Sequence, residues 1–219
     1  PDDSIAALIF SMATALIAGA TGLVGQALLP ELLVPGRYAR VLAVVRKPLL
    51  AADPRLEQIV VDFGQLPDLP VDDVYCAVGT TIRKAGSEAA FRAVDFDVPA
   101  ALARMAKRNA ARQFLLVSSV GASAQSGNFY LRVKGELEAA VRALGFESLH
   151  VFQPSFLLGE RTESRPGERI GIAVAKSLGW AMVGPLAKYH AIDGKDLARA
   201  MVAAASRSQP GAFVHQYPF

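Results

Sequence analysis

The sequence predicts an α/β fold, a doubly wound parallel sheet with helices on both faces and a small C-terminal cap. Three observations predict it. Short apolar blocks alternate with helix-spaced stretches along most of the 219 residues. The blocks lack polar alternation, as central parallel strands buried on both faces must. Each block also runs into glycines, hydroxyls or charges, at the ends where such sheets bind ligands.

The elements follow in order. Residues 14–18 (Thr-Ala-Leu-Ile-Ala) form the first strand, ended by Gly19 and a glycine-spaced turn through Gly22 and Gly25. Leu23, Ala27, Leu28, Leu32 and Leu33 then recur at helical spacing until Pro35-Gly36 stops the pattern. A second strand at 41–45 ends in Arg46-Lys47-Pro48, and a third at 59–61 ends in Asp62. A fourth at 74–78 runs into Gly79-Thr80-Thr81. Val98, Leu102 and Met105 place a helix over about 95–109, and a fifth strand at 114–117 ends in Ser118-Ser119. A helix over 129–144 is stopped by Gly145, and a sixth strand at 149–152 ends before Pro154. Beyond Phe156 the pattern loosens: a polar loop at 161–169, a helix at 192–206 and a closing strand at 213–215. We therefore expect one domain over 1–219, with residues 157–219 supplying a substrate-side cap and the closing strand. Residues 1–11 would be an N-terminal extension if Met12 is an alternative start.

Composition sets the outer limits. At 52% hydrophobic and 20% charged, the chain is neither a disordered regulator nor a low-complexity scaffold. One cysteine, Cys76, permits no internal disulfide, and three scattered histidines give no zinc spacing, so no metal is expected. A reduced, cytoplasmic protein is the expectation. The 27 uncharged residues from 4 to 30 could span a bilayer by length alone. Their glycines break them into strand, turn and helix, so no membrane partner is expected. Net charge is +3, but the basic residues are dispersed. Arg104, Lys107, Arg108 and Arg112 are spaced as one solvated helix face without interleaved aromatics, so no nucleic-acid partner is expected.

Gly19-x-x-Gly22-x-x-Gly25 stands where a dinucleotide fold needs it. Gly19 permits the tight turn, Gly22 lets backbone approach a pyrophosphate, and Gly25 allows close helix–strand packing. Backbone N–H groups opening the helix then face phosphates. The end of the second strand selects the cofactor. An acid there would accept from the ribose 2′-OH of NAD, whereas Arg46 and Lys47 suit the 2′-phosphate of NADP. NADP rather than NAD is expected, against the alternative of two solvated cations. Asp62 either lies near the adenine or caps a following turn.

Tyr130 and Lys134 stand at i and i+4, one above the other on a helix face. A free tyrosine, with a pKa of about 10, holds its proton too tightly to cycle it at neutral pH. A lysine beside it favours the phenolate, making Tyr130 a usable general acid–base. Ser118-Ser119 stand at the end of the fifth strand, and a serine there can hydrogen-bond a substrate carbonyl while Tyr130 supplies the proton. A hydrolase is not indicated, because no GxSxG elbow accompanies the serines. Cys76, in a buried strand, reads as an inert packing residue. Arg83, Lys84, Arg161 and Arg165 read as solvated loop cations, with an anionic-substrate role as the alternative.

Together these residues resemble the short-chain dehydrogenase/reductase superfamily, in its extended and atypical NAD(P)-binding Rossmann branch. A closer resemblance is to the Tat-interacting, oxidoreductase-like (HTATIP-type) group. It rests on Val78-Gly79-Thr80-Thr81, Lys84-Ala85-Gly86, Ser118-Ser119-Val120-Gly121-Ala122, the run Phe129-Tyr130-Leu131-Arg132-Val133-Lys134-Gly135-Glu136, and the block at 163–168. The resemblance implies Tyr130 as proton donor, Lys134 on the nicotinamide ribose and Ser119 orienting the substrate. It puts Gly19, Thr21, Gly22, Leu23 and Val24 along the pyrophosphate and Ala77, Val78 and Gly79 along the nicotinamide-side ribose, with Ser118 expected to line the cofactor. One departure stands out: many relatives carry an asparagine in the central helix where this chain has Asp95. The implied function is an NADP-dependent oxidoreductase moving a hydride between nicotinamide and a carbonyl or alcohol substrate. The alternative is a non-catalytic NADP(H)-binding regulator acting through a protein partner, as human members of the closer group are mainly described. A homodimer is a superfamily expectation.

Overall fold

The computed structural model describes residues 13–63, 66–155, 157–158 and 192–218. The expected N-terminal extension, Met12, the loop cations Arg161 and Arg165, and cap residues 159–191 lie outside the described residues.

The main sheet is built from β1 (Thr14–Ala18), β2 (Arg40–Val45), β3 (Leu56–Val60), β4 (Asp73–Cys76), β5 (Gln113–Val117), β6 (Ser148–Phe152) and β9 (Gly211–His215). Two further short strands, β7 (Leu157–Leu158) and β8 (Ile192–Asp193), pair with each other in a separate sheet. The order of the main sheet is β3-β2-β1-β4-β5-β6-β9, and every pairing is parallel. The chain thus winds outward from β1 to β3, returns to lay β4 beside β1, and winds out the other way. The reversal falls between β1 and β4, whose ends Ala18 and Cys76 stand side by side. In such sheets the crevice at this switch point holds the ligand.

Period-two alternation sorts the strand side chains into two cores. Ala15 and Ile17 of β1, Val41, Ala43 and Val45 of β2, and Leu115 of β5 pack with α1 (Leu23–Leu32) and α6 (Gly194–Ser206). Leu16, Ala18, Leu42, Val44, Phe114 and Leu116 face the other way, toward α4 (Val98–Arg108) and α5 (Phe129–Arg142). Every residue of β5 and β6 is buried, so neither strand has a solvent-facing polar side, and the polar exceptions Gln113, Ser148 and His150 are buried too. Within α6, Leu197, Ala198, Met201 and Val202 lie against the first layer, so this helix is part of the sheet's covering.

The expected helix over 95–109 begins earlier than its spacing suggests. Two short helices, α2 (Ile82–Ala85) and α3 (Glu88–Arg92), follow β4, capped by Thr81 and Ser87, whose hydroxyls accept from Lys84 N and Ala90 N. A π turn, Ala93–Asp97, then leads into α4. A π turn holds one more residue than an α turn and re-aims the side chains inside it. Among the described residues, no helix is long and apolar enough to cross a membrane; the uncharged run holds β1 and α1 as far as Pro30, and α1 continues through Glu31.

Candidate active site

The turn after β1 is dictated by space. Gly19 has φ +89, and a Cβ there would lie 2.5 Å from the carbonyl carbon and oxygen of Ala77. Any L side chain would be strained in backbone and would collide with the segment leaving β4. Gly25 is as constrained from the helix side: its Cβ would come within 2.0 Å of Gly19 O. Helix α1 therefore starts in contact with the turn. Gly22 is the exposed N-cap, its N–H bonded to Gly19 O at 2.9 Å, and no side chain caps the helix. The N–H groups of the first turn are left for a ligand, with the positive end of the helix dipole behind them. Thr21 is exposed, Leu23 half-buried and Val24 buried at this opening. A cradle that a single Cβ would fill, at the end of an uncapped helix, fits a dinucleotide pyrophosphate.

Around this opening lie the other expected cofactor contacts. Arg46 and Lys47 are exposed at the end of β2, next to β1. Asp62 is exposed after β3. Ala77 and Val78 are half-buried, Ala77 N bonding Ala18 O at 2.9 Å, and Gly79 is exposed beyond them. The sheet order brings the exits of β2, β1, β4 and β5 to one edge.

Helix α5 carries the acid–base candidates. Asn128 caps it, its side-chain oxygen accepting from Leu131 N at 3.2 Å. Tyr130 sits half-buried in the first turn, its ring 5.5 Å from that of buried Phe91 in α3. Lys134 lies one turn on, buried, with its Nζ 2.8 Å from Asp95 Oδ1. Burial alone would lower the lysine pKa, but the Asp95 carboxylate, helped by Tyr130, raises it, so Lys134 holds an ammonium. Asp95 is fully buried within the π turn, and its Oδ2 accepts from Thr80 N at 2.8 Å.

The two serines part company. Ser118 is buried; its hydroxyl donates to Glu138, whose carboxylate also accepts from Gln153 Nε2 at 3.0 and 3.1 Å. Gln216 closes the chain by donating to Gln153 Oε1 at 2.7 Å. Ser118, expected to line the cofactor, has its hydroxyl turned to this internal network. Ser119 is half-buried, its hydroxyl making only a long 3.4 Å contact to Val120 O among the described residues. Cys76 is buried, and burial pushes its thiol up to about 11, which suits a packing residue.

Sequence reasoning missed three members of this neighbourhood: Phe91 behind Tyr130, Glu138 behind Ser118, and the Asp95–Lys134 contact. Glu138 had a signal, since Tyr130, Lys134 and Glu138 repeat every fourth residue on one helix face. Asp95 had none, because its aim depends on the π turn.

Comparison with known proteins shows the family and the fold. Residues 15–144 match the NAD dependent epimerase/dehydratase family. The chain is 42% identical to the protein HTATIP2 of Rattus norvegicus over 160 residues, 69% of this chain and 66% of that protein. It is 34% identical to the mitochondrial protein FMP52 of Lodderomyces elongisporus over 213 residues, covering 90% of this chain and 89% of that one. Among solved structures, MoeE5 in complex with UDP-glucose and NAD gives a TM-score of 0.70 at 18% identity, covering 92% of this chain and 74% of that one. The Bordetella bronchiseptica enzyme WbmH in complex with NAD+ gives 0.69 at 16%, covering 95% and 76%. At those identities the two structures establish the Rossmann-type fold alone. The relatives also correct one expectation. Fungal members from Lodderomyces elongisporus, Emericella nidulans and Aspergillus clavatus are named mitochondrial proteins, which overturns the cytoplasmic reading. That reading rested on cysteine usage, and a low cysteine count does not distinguish one reducing compartment from another.

Proposed function

The chain belongs to the NAD dependent epimerase/dehydratase family, and on that footing we propose that it is an NADP-dependent oxidoreductase acting on a carbonyl/alcohol pair, with Tyr130 as general acid–base. The observation that carries this reading is the placement of Tyr130 over a charged, buried Lys134 on α5, packed beside the glycine-walled exits of β1 and β4.

Gly19, Thr21, Gly22, Leu23, Val24 and Gly25 would hold the pyrophosphate through backbone N–H groups. Arg46 and Lys47 would meet the 2′-phosphate, with Asp62 toward the adenine. Ala77, Val78 and Gly79 would flank the ribose on the nicotinamide side, within reach of Lys134. The bound nicotinamide supplies or accepts the hydride. The chain's own residues do the rest. Ser119 donates a hydrogen bond that orients the substrate carbonyl. Tyr130 gives its proton to the carbonyl oxygen in reduction, or takes the alcohol proton in oxidation. Lys134, an ammonium held by Asp95, stands one turn along the same helix from Tyr130. Phe91 holds the tyrosine ring from the side.

The test is a panel of aldehydes and ketones with NADPH, comparing the native chain with Tyr130→Phe. Native turnover should fall at least about 100-fold in the variant, the usual contribution of a positioned general acid, while NADPH binding by fluorescence stays within a few-fold. NADPH binding without turnover of any substrate by either protein would favour the regulator. That reading leaves the Ser119, Tyr130 and Lys134 set unexplained.

A further inference from the structure

The Asp95 carboxylate joins three separately built parts of the site. It belongs to the π turn between α3 and α4, accepts the N–H of Thr80 in the loop after β4, and touches the ammonium of Lys134 on α5 at 2.8 Å. Gly79 leaves room above it: a Cβ there would stand 3.3 Å from Asp95 Oδ1 and 3.7 Å from Lys134 Nζ. Both charged side chains are almost completely buried, 5% exposed for Lys134 and 1% for Asp95. A lysine taken out of water without a partner gives up its proton. The groups that act on Lys134 are Asp95 from the π turn, Tyr130 from its own helix and Cys76 from β4, and of these Asp95 has the largest effect.

We propose that Asp95 is the positioning residue of this site: it keeps Lys134 an ammonium and registers α5 against the loop after β4. The inference deepens the functional reading above and rests on Lys134 serving the cofactor. An asparagine could accept from Thr80 but would bring no charge to the lysine. The π turn is the local distortion that brings the carboxylate to the lysine.

The test compares the full chain with Asp95→Asn, which keeps the shape and an acceptor for Thr80, by thermal melting from about pH 7 to about pH 10. In the native protein Lys134 is charged in both folded and unfolded states over this range and adds no pH slope. In the variant the folded lysine loses its proton early while the unfolded one keeps it up to about pH 10.4. The unfolded state then binds more protons, and stability rises with pH. The melting deficit of the variant should therefore shrink by about 5 °C across the range. A constant deficit would mean a merely structural contact and overturn the proposal. In the double variant Asp95→Asn/Lys134→Arg the guanidinium cannot discharge, so the slope should vanish; a slope that persists overturns the proposal too. Asp95→Ser serves where the amide is not tolerated. Melting needs neither cofactor nor substrate, so a native chain that fails to bind NADPH would sink the functional reading while leaving this result to stand or fall alone.

Discussion

At Arg46 the choice between the two nicotinamide cofactors comes down to one side chain. The 2′-phosphate of NADP brings close to two negative charges, whereas the 2′-hydroxyl of NAD asks for an acceptor. The end of β2 offers exposed Arg46 and Lys47 and no carboxylate. Replacing Arg46 with alanine should weaken NADPH by about 10- to 100-fold, the worth of a charge-assisted hydrogen bond, and NADH by less than about threefold. Raising salt should mimic part of the loss, because the site is exposed. Equal losses for both cofactors would show that the two cations are ordinary surface charges. The position of Arg46 read well from the sequence, because periodicity locates the strand end that it follows. The roles of Ser118 and Ser119 read poorly. The sequence places both at the end of β5 but does not show which hydroxyl an internal partner takes, and Glu138 takes that of Ser118.

Among the elements, α5 is where packing and chemistry constrain each other most. It presents Tyr130, Lys134 and Glu138 in one stripe, and Arg92 of α3 pairs with its Glu136 at 2.5 Å. Its Gly135 lies against the loop after β5: a Cβ would fall 2.2 Å from Ser123 C and 2.3 Å from Ala124 N. Helix propensity alone says that Gly135→Ala should stabilise by about 1 kcal/mol. Contact with backbone says the reverse, because neither the loop nor the helix can yield cheaply. The loop is tied down by the bond from Ser123 N to Leu131 O at 3.1 Å. We expect a net loss of about 1–3 kcal/mol in denaturant unfolding, accompanied by lower turnover as Tyr130 shifts with its helix. A stabilised, fully active variant would show that the glycine is incidental. Strands β1, β2, β5 and β6 were legible because burial on both faces leaves a mainly apolar interior, with His150 a polar exception inside β6. The edge strand β3 starts at Leu56, with Glu57 and Gln58 next, so its polar first half hid it and only its end at 59–61 was found. The π turn was invisible for another reason: it is set by what Asp95 meets in the fold, and no local spacing encodes that.

Across the whole molecule, two buried polar clusters away from the proposed chemistry oppose each other in acid. Asp73, at the start of β4, is fully buried and accepts from Tyr38 Oη at 2.8 Å and Gln113 Nε2 at 3.1 Å. Burial pushes its carboxyl up to about 6, against the pull of Tyr38, Arg112 and Gln113. His150 on β6 is also buried, 2.9 Å from His215 and 3.0 Å from the Ser148 hydroxyl. Because that hydroxyl donates to Gln209 O, His150 Nε2–H donates to it, and in the neutral ring that burial favours, Nδ1 accepts from His215 Nε2–H. Burial, then His215 and Arg207, push His150 down to about 4. The signs follow. Between about pH 6 and 4 folded Asp73 binds a proton that the unfolded chain does not, so its contribution grows as pH falls. Between about pH 6.5 and 4 the unfolded chain protonates His150 while the folded one does not, so that contribution is lost as pH falls. Each is worth about 3 kcal/mol at full extent, so these two contributions largely offset one another. Asp73→Asn should remove the compensating arm, so that urea stability drops by up to about 3 kcal/mol more than native on going from pH 6.5 to 4. His150→Leu should do the opposite, with stability holding or rising on acidification. Curves for both variants that run parallel to the native one would show that neither group is linked to folding.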